Sequence, residues 1–230
     1  MIYLYIILIK NNIGNKKKCR KLIRDGYVKV NGKIIVDIRY KVFLDDKIEC
    51  CHHVLNTHIY KYYMFYKPKG FISANSDKYY PCVVDFFEEE NLSIIGRLDI
   101  DTTGLMILTD DKSLMKTLML PTNHIPKCYL VTLEKKLCDN VIILFKEGIV
   151  IDNDVKCCSS DIHIIDDYHC YLTIYEGKYH QVKKMFLSIG NRVKDLKRVS
   201  IGNLYLDDSL RKGEKRLLND DEIKILKGVD

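Results

Sequence analysis

Tryptophan is absent from this sequence, whereas tyrosine occurs 16 times, so any aromatic surface that stacks on a ligand is mostly tyrosine. No glycine-rich phosphate loop, dinucleotide-binding fingerprint or H-E-x-x-H pair is present. That argues against nucleotide-hydrolysing, nicotinamide-dependent and zinc-protease chemistry. The nine cysteines stand singly or as the adjacent pairs Cys50-Cys51 and Cys157-Cys158, never as C-x-x-C, and give no zinc framework. Cys50-Cys51-His52-His53 is metal-like over four residues, but neighbours on an extended chain point to opposite faces. No metal and no cofactor is expected. Unpaired thiols in this number suit a reducing compartment, and the expected location is cytoplasmic. The opening Met1–Ile9 is apolar but too short to span a membrane. It lacks a basic leading region and a small-residue cleavage site, and reads as a packed first helix or strand. Internal repeats and low-complexity segments are also missing.

What is present supports a substantial core. Hydrophobic residues make up 47% of the 230-residue chain and charged residues 30%, enough for one large domain or a small one followed by a medium one. The net charge of +6 is unevenly placed. Lys10 to Cys50 holds 12 basic against 5 acidic residues, a local balance of +7, while the remainder has 25 basic and 26 acidic. A basic module on a near-neutral body points to a polyanion, with nucleic acid the commonest candidate; a solvated lysine-rich face would look the same.

Patterning gives the order of elements. Lys16 to Gly26 is a basic helical segment ended by glycine. Tyr27 to Val30 alternates, Asn31-Gly32 signals a hairpin, and Lys33 to Val36 returns. Asp45-Asp46 marks a turn before Lys47 to Cys50, and Leu55 to Ile59 reads as a linker. Beyond it, Lys61 to Tyr66 is a tyrosine-rich strand that resumes at Phe71-Ile72-Ser73, and Val83 to Glu89 is a short helix. Asp110 or Asp111 caps a helix over Lys112 to Leu120, closed by Pro121. Lys127 to Leu133, Ile149 to Val155, Ile162 to Ile165 and Cys170 to Tyr175 read as strands; Val141 to Gly148 and Tyr179 to Ile189 as helices. Strands outnumber helices without strict βαβ alternation, so the expected class is α+β, with a large mixed, mostly antiparallel sheet flanked by helices.

One stretch stands apart. In Ile94 to Asp111, IIGRLDIDTTGLMILTDD, a polar loop runs into an apolar segment of the length of a buried strand. A carboxylate beside apolar walls needs a partner, and Arg97 lies two residues from Asp99. A turn capped by Asp99 and Asp101 in water has the same pattern. A second cluster, Glu176 to Arg198, carries Lys178, Lys183, Lys184, Arg192, Lys194, Lys197 and Arg198. Lys183 and Lys184 flank the apolar face of a helix, so at least one can turn toward the sheet, or both can meet solvent. Tyr129 sits mid-strand beside Lys127, where a ring can stack on a base or fill a core. His180 has no Ser or Cys partner in a nucleophile context, and no acid–base role is assigned to it.

GRLDIDTTGLMILTDD, KCYLVTLE and EGKYHQVKKMFLSIGN, in that order, resemble the three signature blocks of the RNA pseudouridine synthases, and within them the RsuA branch of ribosomal small-subunit enzymes. KPKG at Lys67–Gly70, RVSIGNLYL at Arg198–Leu206 and GEKRLLNDDEI fit as well. RKLIRDGYVKVNG is similar to the S4 RNA-binding domain that precedes the catalytic domain in that branch. The resemblance implies an S4-like domain over 1–54 and a catalytic domain over 60–230. It implies Asp99 as the catalytic aspartate, Tyr129 as the ring on the target uracil and Lys183 as the basic partner of Asp99, with Arg97 helping to hold the flipped nucleotide. RNA contacts are expected from Lys67, Lys69, Lys184 and Arg198, and from Lys16, Lys17, Lys18, Arg20, Lys21 and Arg24. The chain opens IYLYII where the S4 pattern has an Arg-Leu-Asp-Lys-like run, so this first helix is expected to touch RNA less. Cys128 stands where threonine is common. The implied partner is rRNA, foremost 16S, or a pre-ribosomal small-subunit particle, met by a monomer away from membranes. A large-subunit 23S enzyme of the same branch and a non-catalytic S4-type assembly factor are the alternatives.

Overall fold

A computed structural model describes residues 2–43, 46–57, 59–88 and 91–228. Met1, Asp45 of the expected Asp45-Asp46 turn, His58 within the expected linker and Glu89 of the expected Val83–Glu89 helix lie outside the described residues. The contacts divide the chain into two compact units, Met1–Lys61 and Tyr62–Asp230.

The first unit runs β1 (Ile2–Tyr3), α1 (Leu4–Lys10), α2 (Lys16–Arg24), β2 (Val28–Val30), β3 (Lys33–Ile34), β4 (Lys41–Val42), β5 (Ile48–Cys50) and β6 (His53–Val54). The Asn15 side chain accepts from the Lys18 N–H and caps α2. Past its end Gly26 takes φ +80, a left-handed value that glycine adopts without a Cβ penalty. Asn31 and Gly32 both have positive φ, the geometry of a tight hairpin between β2 and β3. The return strand stops at Ile34, two residues short of expectation. Cys19 and Ile23 turn inward one helical turn apart and join Leu4, Ile7, Val28, Val30 and Ile48 in a closed core.

The second unit contains β7 (Tyr62–Lys67), β8 (Ser93–Ile95), β9 (Thr103–Thr109), α3 (Lys112–Met119), β10 (Lys127–Leu133), α4 (Val141–Glu147), β11 (Val150–Ile151), β12 (Val155–Lys156), β13 (Asp161–Ile164), β14 (His169–Ile174), α5 (Gln181–Ser188), β15 (Val193–Ile201), β16 (Leu204–Tyr205), β17 (Lys215–Leu217) and α6 (Asp220–Lys227). Its main sheet has the order β13-β14-β10-β15-β9-β7-β17, with β16 on β15 and β8 on β9. Every pairing is antiparallel except β15 with β9, where Lys197 opposes Thr103 and Arg198 opposes Gly104. This is the mixed, mostly antiparallel sheet expected. All seven residues of β9 are buried, which explains why its sequence is continuously apolar instead of alternating. Helices α4 and α5 cover one region of the sheet through Phe145 and Phe186, whose rings lie 4.9 Å apart.

Several segments depart from their patterns. Phe71-Ile72-Ser73 forms no strand; Ile72 makes an isolated bridge to Cys82. Val83–Phe86 is a 3₁₀ turn, with Asp85 accepting from the Cys82 N–H. Ile149 to Val155 folds into the hairpin β11/β12 because Asp152 and Asn153 adopt positive φ, which Asp and Asn tolerate better than most side chains. Asp111, not Asp110, caps α3: it accepts from Ser113 and Leu114 N–H groups and from the Tyr62 hydroxyl.

Candidate active site

The loop before β9 is held from behind by buried groups. Lys67, the last residue of β7, is fully buried. Its ammonium donates to the carbonyls of Asp99 and Thr102 at 2.9 Å and of Pro68 at 3.0 Å. Burial pulls its pKa down to about 8, against the opposing charges of Asp101 and Asp99. On the other side Arg198, also buried, donates to the Leu105 carbonyl at 2.8 Å and the Gly96 carbonyl at 2.6 Å. Ser73 closes the arrangement, donating to Leu98 O and accepting from Leu98 N–H. Gly104 has to be glycine: φ is +116, and a Cβ there would lie 2.2 Å from the Arg198 carbonyl oxygen.

With its backbone fixed, the loop presents the Asp99 carboxylate to a cleft of about 580 Å³ lined by Arg97, Tyr129, His180, Lys183 and Arg198 among others. Lys183, in the first turn of α5, reaches across to donate to Asp99 Oδ2 at 2.8 Å and to Asp101 Oδ1 at 2.5 Å. Burial alone would lower the Lys183 pKa, but the hydrogen bonds and charges of Asp101 and Asp99 outweigh it and raise it. The same bond overcomes burial at Asp101 and lowers its pKa. The N-terminus of α5 is anchored by Glu176, which accepts from Gln181 Nε2 and the Cys158 N–H and pairs with Lys178.

Asp99, Tyr129 and Lys183, widely separated in the chain, thus line one cleft. Tyr129 is 7% exposed; it is packed in the core and still forms cleft wall. Arg97 is exposed on the wall, but the cation against Asp99 is Lys183, not Arg97. Lys69 and Lys184 are partly exposed and pair with Asp195 at 2.6 Å and Asp152 at 2.5 Å, surface pairs of small energy that a phosphate can replace. One expected RNA contact is corrected: Lys67 is sealed inside the sheet and binds backbone carbonyls, so it cannot reach a nucleic acid. Arg198 is buried as well and binds carbonyls, but it forms part of the cleft lining. For Arg198 a signal existed: Leu196, Arg198 and Ser200 alternate in phase and all three are buried. His180, with no role expected from its sequence context, also reaches the carboxylate. Its Nε2 lies 3.6 Å from Asp99 Oδ1, and nothing in its sequence neighbourhood marks that approach.

A family model described as RNA pseudouridylate synthase matches residues 61–188. The chain belongs to the RNA pseudouridylate synthase family. This synthase also matches the S4 domain model over residues 9–48, as the resemblance of RKLIRDGYVKVNG implies. It is 38% identical over 224 residues to a Haemophilus influenzae protein named ribosomal small subunit pseudouridine synthase A, covering 95% of this chain and 97% of that one. The Escherichia coli protein of the same name is 36% identical, over 87% of this chain and 89% of its own. A solved pseudouridylate synthase, 37% identical, superposes with a TM-score of 0.70 over 98% of this chain and 100% of that one.

In the synthase's S4 domain, Lys16, Lys17, Lys18, Lys21 and Arg24 are exposed on α2 and Arg20 is half-buried. The first helix carries one cation, Lys10 in its last turn, and sets Tyr5 against α2: Arg20 and Lys16 lie 4.7 and 5.6 Å from the Tyr5 ring centroid. Among the described residues of the synthase, no group of three His, Cys, Asp or Glu could hold a metal ion. No described helix is long and apolar enough to cross a membrane.

Proposed function

We propose that this synthase isomerises one uridine of small-subunit 16S rRNA to pseudouridine, acting in the cytoplasm as a monomer on the RNA or a pre-ribosomal particle. The observation that carries the reading is the Asp99–Lys183 pair, 2.8 Å apart in a cleft large enough for a nucleotide. The substrate is taken from the relatives named for the ribosomal small subunit. Asp99 is the reactive carboxylate. Lys183 holds a cation against it, and Tyr129 packs against the uracil. Arg97, at the open side of the wall, meets the flipped nucleotide.

The target base must leave its stack to be reached. The N1–C1′ bond then breaks, the uracil turns, C5 joins C1′, and the proton lost from C5 is balanced by one taken up at N1. Substrate and product have the same composition and oxidation level, so the reaction calls for no electron or group carrier. A carboxylate facing C1′ stabilises the positive charge that grows on the sugar as N1 departs. The wall of apolar and buried polar groups keeps the freed base from water before it rebonds. Lys69, Lys184 and the exposed cations of α2 supply phosphate contacts that hold the RNA in register.

The test is conversion of unmodified 16S transcript, or a precursor particle, by purified protein. Wild type should form pseudouridine at one position and Asp99→Asn none. Conversion confined to 23S RNA would move the substrate to the large subunit, and binding without any conversion would refute the enzyme reading.

A further inference from the structure

Tyr179 is the most exposed aromatic on the cleft rim, 73% open to solvent. A surface tyrosine ordinarily has freedom to move, but this one is backed. The His180 ring stacks on it with centroids 3.8 Å apart and planes 21° apart. His180 itself sits at φ 54, ψ 29, a left-handed conformation that a non-glycine residue holds only when its surroundings impose it. The surroundings are visible: Gln181 Oε1 accepts from the Lys178 N–H at 2.8 Å, and Gln181 is tied in turn to Glu176. The imposed conformation aligns two rings outward from the Asp99 carboxylate, first His180 with Nε2 at 3.6 Å, then Tyr179. Beside the outer ring, Lys184 Nζ lies 5.2 Å from the Tyr179 centroid.

From this we infer that Tyr179 and His180 form a stacking ledge for an unpaired base of the substrate RNA, that of the nucleotide next to the one whose sugar meets Asp99. The inference rests on the proposed reading of the cleft as a uridine-isomerising site. A flipped nucleotide leaves its neighbour without a stacking partner on one side. An aromatic ledge beside the cleft replaces that lost stack, and a cation at its edge suits the linking phosphate. The ledge is continuous with the Asp99 cleft, and the adjoining lysine favours an anionic chain over an apolar partner. Because every base has a π face, the ledge accepts any base and contributes to affinity more than to sequence choice.

The test uses full-length protein and RNA spanning the uridine that wild type converts, together with RNAs in which the nucleotide on its 5′ or its 3′ side is abasic. Wild type should lose about tenfold in kcat/KM on one abasic RNA, mostly through KM. Tyr179→Ala should lose about tenfold on intact RNA and nothing further on that abasic RNA, and Tyr179→Phe should restore wild-type behaviour on both. Equal abasic losses in wild type and Tyr179→Ala would overturn the ledge, as would a Tyr179→Ala enzyme within about twofold of wild type on intact RNA. Those results leave the proposed reaction standing. A wild-type protein that binds RNA and converts no uridine removes the reaction and the ledge's occupant together.

Discussion

Replacing Lys67 with methionine is the sharpest test of how the Asp99 loop is built. The side chain is fully buried, and methionine fills similar space without donors. Three carbonyls, those of Pro68, Asp99 and Thr102, lose a charged donor at 2.9–3.0 Å. Hydrogen bonds to charged groups contribute about 1.5–3 kcal/mol each, so the three together are worth roughly 5–9 kcal/mol. Against this stands the cost of burying the ammonium. Its pKa of about 8 is some 2.4 units below an ordinary lysine, which corresponds to roughly 3 kcal/mol at neutral pH. The difference predicts that Lys67→Met destabilises the fold by roughly 2–6 kcal/mol, a large share of a typical stability. The pH dependence has a definite sign. Between about pH 8 and 10 the unfolded lysine still holds its proton while the folded one has released it, so this group makes wild-type stability rise with pH across that window. The variant lacks that rise. Urea unfolding of both proteins at neutral pH and through the window, alongside pseudouridine formation, measures each part. A variant with an unchanged midpoint, the same pH slope and full activity would refute the idea that Lys67 organises the loop.

Lys183→Ala should cut kcat by about 10²–10³-fold, with Lys183→Arg recovering part of it. Asp101→Asn should stay within about tenfold, since Asp101 is 61% exposed and exposed pairs contribute about 1 kcal/mol or less; steady-state kinetics on one RNA compares all three. Gly104→Ala places a Cβ 2.2 Å from a backbone oxygen, forcing β9 from β15 at a cost of about 4 kcal/mol or more; a melting temperature within about 2 °C of wild type would contradict this. Asp207, held to a pKa of about 2 by the hydroxyl and N–H of Ser209 and by Arg216, lies below its unfolded value near 3.9. Its stabilising contribution is complete above about pH 4 and is lost as pH falls toward 2. Acid titration followed by circular dichroism should therefore be shallower for Asp207→Asn between pH 4 and 2, and superimposable curves would count against the role.

Much of this was legible in the sequence where one physical rule acts alone. Helix α2 shows its basic surface and its closing Gly26 because glycine alone takes the left-handed turn past a helix end without a Cβ penalty. Strands β7, β10 and β14 show because they are bounded by turn residues. The Asp99 loop was visible as a polar stretch abutting a buried strand. Legibility failed where tertiary contact reverses a residue's usual preference. In β15 the run VKDLKRVSI carries four charges in its first six residues and reads as a basic surface, yet it is a strand at the centre of the sheet. The resemblance puts Lys67 and Arg198 at the RNA, and cations ordinarily lie outside; only the geometry reveals the backbone carbonyls that hold both. His180 is hidden for another reason. Its nearness to Asp99 depends on a left-handed backbone angle that no residue pattern specifies.

The two buried cations also explain a division of labour around Asp99. Lys67 and Arg198 direct their donors at main-chain carbonyls, so they fix where the loop runs without occupying the carboxylate. Among the described lysines and arginines it is Lys183 that binds the Asp99 side chain, and it shares itself with Asp101. An RNA arriving at the cleft therefore meets a carboxylate whose backbone is already ordered, and the entropy of placing it has been met during folding. The rim around it is exposed: Arg97, Tyr179 on its His180 backing, and the lysines paired only at the surface. Chemistry thus resides in an interior that cannot vary without disturbing the loop, and RNA contact in an exposed rim that can vary. Substitutions at the rim should alter how tightly RNA is held, whereas substitutions at Lys67, Gly104 or Arg198 should remove stability and activity together.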